Sequence, residues 1–347
     1  NDPIYGFIKI NNPLILELID HPYFQRLKRI KQLGLAEFVY PGAHHTRFHH
    51  ALGAMHLMDQ VLDNLKAKGY SISAEEREGA EIAILLHDIG HGPFSHVLEY
   101  TLLNEVKHED VSTLLMAKLN QHFKGRLNLA IDIFENKYPR KFFHQLVSSQ
   151  LDVDRLDYLS RDSFYTGVRE GFIGSERLLS MMDLNNEQLV IEEKGIYSTE
   201  NFLMARRLMY WQVYLHKTAI AAETMLIQIL RRAKFLFADG QKLTCSGPLK
   251  TFLKQAHTWE EFSTKENLLL AFTELDDHDV WAAIKEWKNS SDKILRHLCT
   301  HFLARKLFTC KLGSQPIPKA KRLEIEENIK REYGISEEEL SYFVIEG

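Results

Sequence analysis

Cysteine is scarce in this chain, which carries only Cys245, Cys299 and Cys310 among 347 residues. Their number is odd, they are scattered, and no CxxC spacing occurs. This pattern argues against a disulfide framework and against a cysteine zinc site. Because such cysteine usage fits a reducing compartment, we expect a cytoplasmic protein.

Long apolar runs and an excess of one charge are also missing. No run approaches the roughly 18 apolar residues of a membrane span, so no membrane partner is expected. The net charge of −4 gives no global field that would draw the chain onto nucleic acid. No signal peptide is visible at Asn1-Asp2-Pro3. The first residue is not Met, and the last stretch, 342–345, resembles a strand that is cut short. We therefore expect the native chain to extend beyond both ends.

Helical periodicity dominates what is present. Apolar residues recur at spacings of three and four over 47–69, and Ser73 with Glu76 predicts a helix start leading to about residue 88. The longest helical pattern spans 200–240. The best β signal is 188–198, where 189–191 and 196–197 flank Lys194-Gly195 and predict a hairpin. The charged tail, 319–347, predicts one helix and a strand. The fold class is therefore mostly α, with a small β-hairpin and a smaller C-terminal α+β lobe.

Histidine is abundant and unevenly spread. Nine of the 17 histidines lie within one 65-residue stretch, namely His44, His45, His49, His50, His56, His87, His91, His96 and His108. Neutral imidazole is the commonest metal ligand in proteins. His87-Asp88 ends the apolar run 83–86, where a carboxylate is costly unless it is paired or bound to a cation. Imidazole with carboxylate suits Mn, Fe, Ni, Zn or Co better than Ca.

A second acidic cluster lies between residues 152 and 162. It places four aspartates beside two arginines, namely Asp152, Asp154, Asp157 and Asp162 with Arg155 and Arg161. A solvated surface helix is one interpretation of such a charge run. Apolar residues interleave the acids, however, which favours several of them pointing into an interior or a cleft.

The order of these residues resembles the H…HD…D signature of HD-domain metal-dependent phosphohydrolases. The string His87-Asp88-Ile89-Gly90-His91-Gly92-Pro93-Phe94-Ser95-His96 resembles their deoxynucleoside triphosphate (dNTP) triphosphohydrolase branch. So do the segments 24–34, 40–43, 47–50 and 152–158. The resemblance implies a helical HD domain over 1–240, followed by a smaller lobe over 241–347. It also implies a divalent metal ion (Mn, Fe, Zn, Ni, Co or Mg) held by His50, His87, Asp88 and Asp154, with Asp152 as the competitor of Asp154.

The same resemblance implies hydrolysis of a dNTP to deoxynucleoside and inorganic triphosphate. The matching catalytic residues are His91, His96, His108 and Glu99, where Glu99 stands in place of an Asp. The matching substrate-binding residues are Gln32, Leu33, Arg47, Arg155, Tyr158, Asp162, Arg206, Tyr210 and Tyr214; Arg155 replaces a Lys and Tyr210 replaces a His. A regulatory nucleotide site is implied by Asp20, Gln25, Lys28, His216 and Lys217, where Lys28 replaces an Arg.

Two alternatives stay open beside the triphosphohydrolase. The first is another nucleotide phosphohydrolase of the HD superfamily, a phosphatase or a phosphodiesterase. No GYP motif, typical of the cyclic dinucleotide phosphodiesterases, is present. The second is a non-catalytic nucleotide sensor. The expected partners are a nucleotide substrate, an activating nucleotide and further copies of the chain in a dimer or tetramer.

Overall fold

The described chain is predominantly helical and divides into two compact units. A computed structural model describes residues 1–94, 97, 101, 106–313 and 317–346. The first unit comprises Asn1–Ser95 and Val106–Tyr214, and the second comprises His96–Glu105 and Leu215–Gly347. The boundary predicted between residues 240 and 241 falls inside the second unit.

The first unit is built from ten α-helices among its described residues. They are α1 (Pro13–Asp20), α2 (Pro22–Gln25), α3 (Arg47–Ala67), α4 (Ala74–Leu86), α5 (His108–His122), α6 (Asn128–Phe134), α7 (Phe142–Val147), α8 (Val153–Thr166), α9 (Ser175–Met181) and α10 (Ile196–Met209). The helices predicted over 47–69 and 73–88 are confirmed as α3 and α4. Ser73 begins α4 with a reciprocal capping box, in which its hydroxyl accepts from the Glu76 amide and the Glu76 carboxylate accepts from the Ser73 amide.

Helix α3 organises the core of the first unit. It packs against α4 and α8, and α4 packs in turn against α6. The inner face of α3 buries small and large apolar side chains alternately, and the last five residues of α4, 82–86, are all buried. This packing brings the first turns of α3 and α8 to the C-terminal end of α4. Residues at those three helix ends therefore lie close together.

The predicted hairpin exists, but one of its strands is wrong. The strands are β1 (Met182–Asn185) and β2 (Gln188–Ile191), paired antiparallel with Met182 opposite Ile191. The turn residues Asn186 and Glu187 both have positive φ, as a two-residue hairpin turn requires. Ile196 and Tyr197, predicted as a strand, instead open helix α10. The partner of β2 is β1, which precedes it in the chain, and the alternation of residues did not predict that strand.

The long pattern over 200–240 is two helices rather than one. Helix α10 ends at Met209, a π-helical segment spans Tyr210–Tyr214, and α11 (Lys217–Ala238) follows. His216 begins α11 by accepting the Thr218 amide on its Nδ1 atom. The predicted stop is confirmed, because Gly240 has a φ of 82° just after α11 ends.

The second unit is helical throughout its described residues. Its helices are α11, α12 (Gly247–Lys254), α13 (Trp259–Thr264), α14 (Glu266–Glu274), α15 (Asp277–Trp287), α16 (Lys293–Leu303) and α17 (Lys319–Tyr333). The predicted β contribution to this lobe is therefore wrong. Of the strand-like residues 342–345, Tyr342 ends a 3-10 helix, Glu339–Tyr342, and the other three form no strand. Among the described residues of this lobe there is no second strand with which they could pair. No described helix is long and apolar enough to cross a membrane.

Candidate metal centre

Four of the predicted site residues come from three helix ends. His50 lies in the first turn of α3, His87 and Asp88 follow the last residue of α4, and Asp154 lies in the first turn of α8. Side chains at a helix end are free of the regular rows that pack the helix body. Since α3 packs on both α4 and α8, the four side chains converge.

The converging atoms are spaced like the ligands of one ion. His50 Nε2 lies 3.0 Å from Asp154 Oδ1 and 3.4 Å from His87 Nε2. His87 Nε2 lies 3.4 Å from Asp88 Oδ1 and 3.4 Å from Asp154 Oδ1, and Asp88 Oδ2 lies 3.8 Å from His50 Nε2. Ligands about 2.1 Å from a common divalent cation lie about 3.0–3.5 Å from one another. The donor set therefore fits a single cation of the kind predicted from the sequence.

Both imidazoles are held through Nδ1 so that Nε2 faces the cluster. His87 Nδ1 lies 2.6 Å from the carbonyl oxygen of Ile84, which only accepts hydrogen bonds. His50 Nδ1 lies 2.7 Å from Asp157 Oδ2, and Asp157 is fully buried. Because each Nδ1 donates its proton, each Nε2 is left to ligate. Two such nitrogens facing each other with two carboxylates form a site for a positive ion.

The carboxylates dominate the electrostatics of this cluster. Burial lowers the pKa of His50, but its hydrogen bonds to Asp154 and Asp157 outweigh burial and raise that pKa to about 10. Burial raises the pKa of Asp88, but the charges of His87 and Arg47 and a hydrogen bond from His91 hold that pKa well below its usual range. The site thus stabilises positive charge strongly, whether that charge is a proton or a metal ion.

Asp152, the competitor of Asp154, has a different position. It is the N-cap of α8, where its carboxylate accepts from the amides of Ser149 at 2.6 Å and Arg155 at 2.8 Å. Burial and the charge of Asp154 raise the pKa of Asp152 to about 7. Asp154, two residues further on, is the one whose carboxylate lies among the imidazoles. We therefore retain Asp154 as the candidate ligand.

Asp157 and Arg161 support the metal centre from behind, although no role was predicted for either. Arg161 donates to Asp157 through Nε at 3.0 Å and through Nη2 at 2.9 Å, and both side chains are fully buried. Gly53 on α3 allows this close packing, because a Cβ there would lie 2.0 Å from Asp157 Oδ1. One signal was available: Asp157 follows Asp154 by three residues and so shares its helix face.

A second cluster adjoins the first through Asp88. His91 Nε2 lies 3.2 Å from Asp88 Oδ1, and Arg47 Nη1 donates to Asp88 Oδ2. The rings of His91 and His108 are stacked, with centroids 3.8 Å apart. Burial, and then the charge of Arg47, lowers the pKa of His91 to about 3, so its imidazole is neutral. The other two predicted catalytic residues, His96 and Glu99, lie outside the described residues.

The loop that carries Asp88 and His91 is held from two directions. Buried Arg26 donates from Nη2 to the carbonyl oxygens of Ile89 at 3.2 Å and His91 at 2.7 Å. The hydroxyl of Ser112 on α5 accepts the Gly90 amide at 2.9 Å and donates to the His87 carbonyl at 2.7 Å. Neither Arg26 nor Ser112 was assigned a role beforehand, because their contacts are distant in the sequence.

Three of the predicted substrate-binding residues are tyrosines whose rings lie near one another. Tyr158 and Tyr214 have ring centroids 6.2 Å apart, and Tyr210 lies 5.1 Å from Tyr214. Arg206 lies over the Tyr210 ring at 5.9 Å. Asp162 is buried and uses both oxygens, one with His45 at 2.7 Å and one with the Tyr214 hydroxyl at 2.7 Å. The structure thus brings the predicted tyrosines and Arg206 together, with Asp162 behind Tyr214.

The remaining predicted substrate-binding residues are Arg155, Gln32 and Leu33. Arg155 donates from Nε to the Ser149 carbonyl at 2.7 Å. The backbone N–H of Gln32 donates to the His45 carbonyl at 3.0 Å, and the side-chain Oε1 of Gln32 is buried without a hydrogen-bond partner among the described residues. Leu33, beside it, is half-buried. An unpaired buried acceptor costs free energy unless a ligand or water donates to it.

The predicted regulatory residues divide between the units. In the first unit, Asp20 is exposed, Gln25 donates to the Ile19 carbonyl at 2.7 Å, and Lys28 lies over the Phe48 ring at 4.5 Å. In the second unit, His216 and Lys217 lie at the start of α11. Their common role stays a prediction.

Comparison with known proteins decides the family. Residues 47–162 match the HD domain, and residues 173–240 match the HD associated region. The YwfO protein of Bacillus subtilis is 36% identical over 314 residues, which cover 88% of this chain and 70% of that protein. The chain belongs to the HD-domain family. The family predicted from the motif is confirmed.

Two further relatives extend the HD-domain assignment. The crystal structure of a phosphohydrolase from Bacteroides thetaiotaomicron matches with a TM-score of 0.97 and 51% identity, covering 99% of this chain and 85% of that chain. Human SAMHD1, a deoxynucleoside triphosphate triphosphohydrolase, is 28% identical and matches 78% of this chain, which spans 50% of its length. The protein is an HD-domain phosphohydrolase whose histidine and aspartate cluster is compatible with a divalent metal ion.

Proposed function

We propose that this HD-domain protein is a dNTP triphosphohydrolase that releases deoxynucleoside and inorganic triphosphate. The observation that carries the proposal is the cluster of His50, His87, Asp88 and Asp154. Each carboxylate has an oxygen 3.0–3.8 Å from each of the imidazole Nε2 atoms, and both imidazoles are held through Nδ1. The relatives named as dNTP triphosphohydrolases support the choice of substrate.

The four side chains would hold a divalent ion. Such an ion, when bound, acts as a Lewis acid toward a phosphoryl oxygen and lowers the pKa of water. Arg47, which donates to Asp88, fixes that carboxylate and adds a positive charge beside the site. The cluster thus provides fixed charges where a phosphate group would develop negative charge, which lowers the barrier to its transfer.

Proton transfer to the leaving 5′ oxygen falls to the histidines. His91 is neutral because burial lowers its pKa, and its Nδ1 atom is buried without a hydrogen-bond partner in the described part of the chain. His108, stacked on His91, lies at the more exposed start of α5. We assign proton transfer to His108 together with the predicted His96 and Glu99, and phosphate contact to His91.

The substrate residues suit a nucleotide with three phosphates. Arg155 and Arg206 supply the cations that a polyphosphate requires. Tyr158, Tyr210 and Tyr214 supply flat surfaces for the sugar and the base. Gln32 presents its unpaired Oε1 to a sugar hydroxyl, with Leu33 beside it to exclude a 2′-hydroxyl. The Tyr214 hydroxyl is fixed by its bond to Asp162, so Asp162 acts partly through that tyrosine.

We further propose that the protein works as an oligomer activated by a nucleotide. Large apolar side chains are exposed on α10 and its neighbours in the first unit, including Phe172 at 75%, Tyr197 at 80% and Trp211 at 62%. A monomer seldom exposes so many large apolar groups together. The predicted contacts of the activating nucleotide are Asp20, Gln25, Lys28, His216 and Lys217.

A product assay separates this proposal from its alternatives. The full chain, loaded with Mn²⁺ or Mg²⁺, is incubated with each dNTP, NTP and deoxynucleoside monophosphate, alone and with a second nucleotide. Tripolyphosphate and deoxynucleoside are the expected products. Orthophosphate alone would establish a different phosphohydrolase, and tight binding without turnover would establish a sensor. Asp154→Asn should abolish turnover, whereas Asp152→Ala, which removes the N-cap of α8, tests whether a destabilised helix has the same effect.

A further inference from the structure

The N-terminal turn presents a carboxylate to the interior of the first unit. The amide of Asp2 donates to the Gly6 carbonyl at 2.6 Å, and the Gly6 amide donates back to Asp2 at 2.9 Å. Within the turn, Asp2 Oδ1 accepts from the amides of Ile4 at 2.9 Å and Tyr5 at 3.1 Å. The side chain of Asp2 is only 7% exposed. The turn therefore fixes this carboxylate and directs its other oxygen inward.

That second oxygen begins a continuous hydrogen-bonded chain. Asp2 Oδ2 accepts from Arg161 Nη1 at 2.8 Å. Arg161 then holds Asp157 through two further donors, and Asp157 Oδ2 accepts from His50 Nδ1 at 2.7 Å. The chain runs from residue 2 to residue 50 through two residues of α8.

We propose that Asp2 is a positioning residue for the metal ligand His50, acting through Arg161 and Asp157. The inference rests on the proposed metal centre and deepens it. A planar guanidinium that grips a carboxylate with two parallel hydrogen bonds fixes the plane of that carboxylate. Asp2 occupies a third donor of Arg161, and the Tyr5 ring lies 5.7 Å from the guanidinium. The guanidinium is thus held on several sides.

Asp2 also balances charge. A single carboxylate beside Arg161 would have its negative charge largely neutralised by the guanidinium. Because Asp2 shares Arg161, Asp157 keeps more negative charge for the Nδ1 proton of His50. A stronger hydrogen bond at Nδ1 makes the opposite nitrogen a better metal ligand. Removing the charge of Asp2 should therefore weaken metal binding, although Arg161 and Asp157 stand between Asp2 and the ligand His50.

Metal titration tests this role without substrate. The full chain is stripped with a chelator, and Mn²⁺ affinity is measured by calorimetry for the unmodified protein, Asp2→Asn, Asp157→Asn and the double variant. Glu17→Gln, at an exposed carboxylate on α1, is the matched control. Changing a group that contacts a metal ligand typically weakens metal affinity about 10- to 100-fold. We expect that loss for Asp157→Asn and a smaller loss, about 3- to 10-fold, for Asp2→Asn.

The double variant identifies the route. If Asp2 acts through Asp157, the double variant should bind Mn²⁺ no more weakly than Asp157→Asn alone. The positioning role would be overturned if the fold-losses of Mn²⁺ affinity in the two single variants multiplied in the double variant. It would also be overturned if Asp2→Asn bound Mn²⁺ as tightly as Glu17→Gln. Unfolding of the metal-free variants is followed in parallel, since a purely structural Asp2 would lower the unfolding midpoint without changing the affinity of folded protein. An unmodified chain that binds no Mn²⁺ would overturn the metal centre itself.

Discussion

Replacing Gly90 by alanine adds only a methyl group but should disturb the second cluster, formed by Asp88, His91 and His108. A Cβ at this residue would lie 2.2 Å from the carbonyl oxygen of His108 and 2.3 Å from the amide nitrogen of Ser112. Both are backbone atoms of α5, so neither can move by a side-chain rotation. Ordinary contacts of a Cβ with such atoms are about 3.4 Å or longer, so Gly90→Ala requires a displacement of about 1 Å.

The helix rather than the loop should move. Arg26 holds the loop through the carbonyls of Ile89 and His91, and His87 is held by its own helix. The start of α5 would therefore shift, carrying His108 away from the His91 ring, now 3.8 Å distant between centroids. Overpacking of this kind costs about 1–3 kcal/mol of stability. A catalytic group misplaced by about 1 Å can lose about 100-fold in rate.

We therefore expect Gly90→Ala to lower kcat/KM for a dNTP about 100-fold while the folded protein keeps its bound metal. Tripolyphosphate release and elemental analysis of the same samples measure the two quantities. Gly174→Ala is the matched control, since a Cβ there meets no atom within 4 Å. Wild-type turnover in Gly90→Ala would refute the claim that the α5 contact positions His108. Loss of metal would show instead that the loop moved.

Three further predictions concern the site and the scaffold. Asp88→Ala should lose bound metal and turnover while circular dichroism stays helical; full activity would refute the ligand assignment. Arg206→Ala should raise KM for a dNTP about 10-fold with less effect on kcat, as loss of one phosphate contact implies; an unchanged KM would remove it from the phosphate site. Burial and Asp59 raise the pKa of Glu81 to about 7 from 4.5. The folded chain then retains a proton that the unfolded chain releases, so stability falls as pH rises between these values. Urea unfolding should show Glu81→Gln more stable by roughly 2 kcal/mol at about pH 8 and equal to wild type near pH 4; an equal gain at both pH values would contradict this.

Local patterns in the sequence were enough for the helices that carry the candidate ligands. The three-and-four spacing over 47–69 and the Ser73 cap placed α3 and α4 within a few residues. The HD motif supplied His50, His87, Asp88 and Asp154. The structure brings the ligand atoms of His50, His87 and Asp154 together and places Asp88 within 3.8 Å of both imidazole Nε2 atoms. Periodicity did not reveal the π-helical segment Tyr210–Tyr214, because a single inserted residue per turn barely alters an apolar pattern. Nor did periodicity reveal β1, the first strand of the hairpin, since strand pairing depends on which segments meet.

The groups behind the ligands were harder to find. Asp157 contacts His50, 107 positions away, and Ser112 contacts Gly90, 22 positions away. Arg161 joins Asp157 to Asp2, 159 positions away. In the sequence, Asp157 and Arg161 are members of an ordinary charge run, and Ser112 is one serine among many. Only packing distinguishes a carboxylate that orients an imidazole from one that faces solvent. In a chain this rich in acidic residues, the motif therefore identifies the candidate ligands but not the residues that orient them.

The two imidazoles depend on the fold to different degrees. His87 donates from Nδ1 to a carbonyl three residues earlier in its own chain, so its orientation is fixed wherever the end of α4 forms. His50 depends on Asp157 of α8, on Arg161 and on the N-terminal turn, and so on tertiary packing. Any change that loosens the contact between α3 and α8 should therefore impair His50 first. Gly53 lies at that contact, where an added methyl group would meet Asp157 and Arg161 directly. Metal affinity in this protein should thus follow the packing of α3 on α8 more closely than the stability of α4.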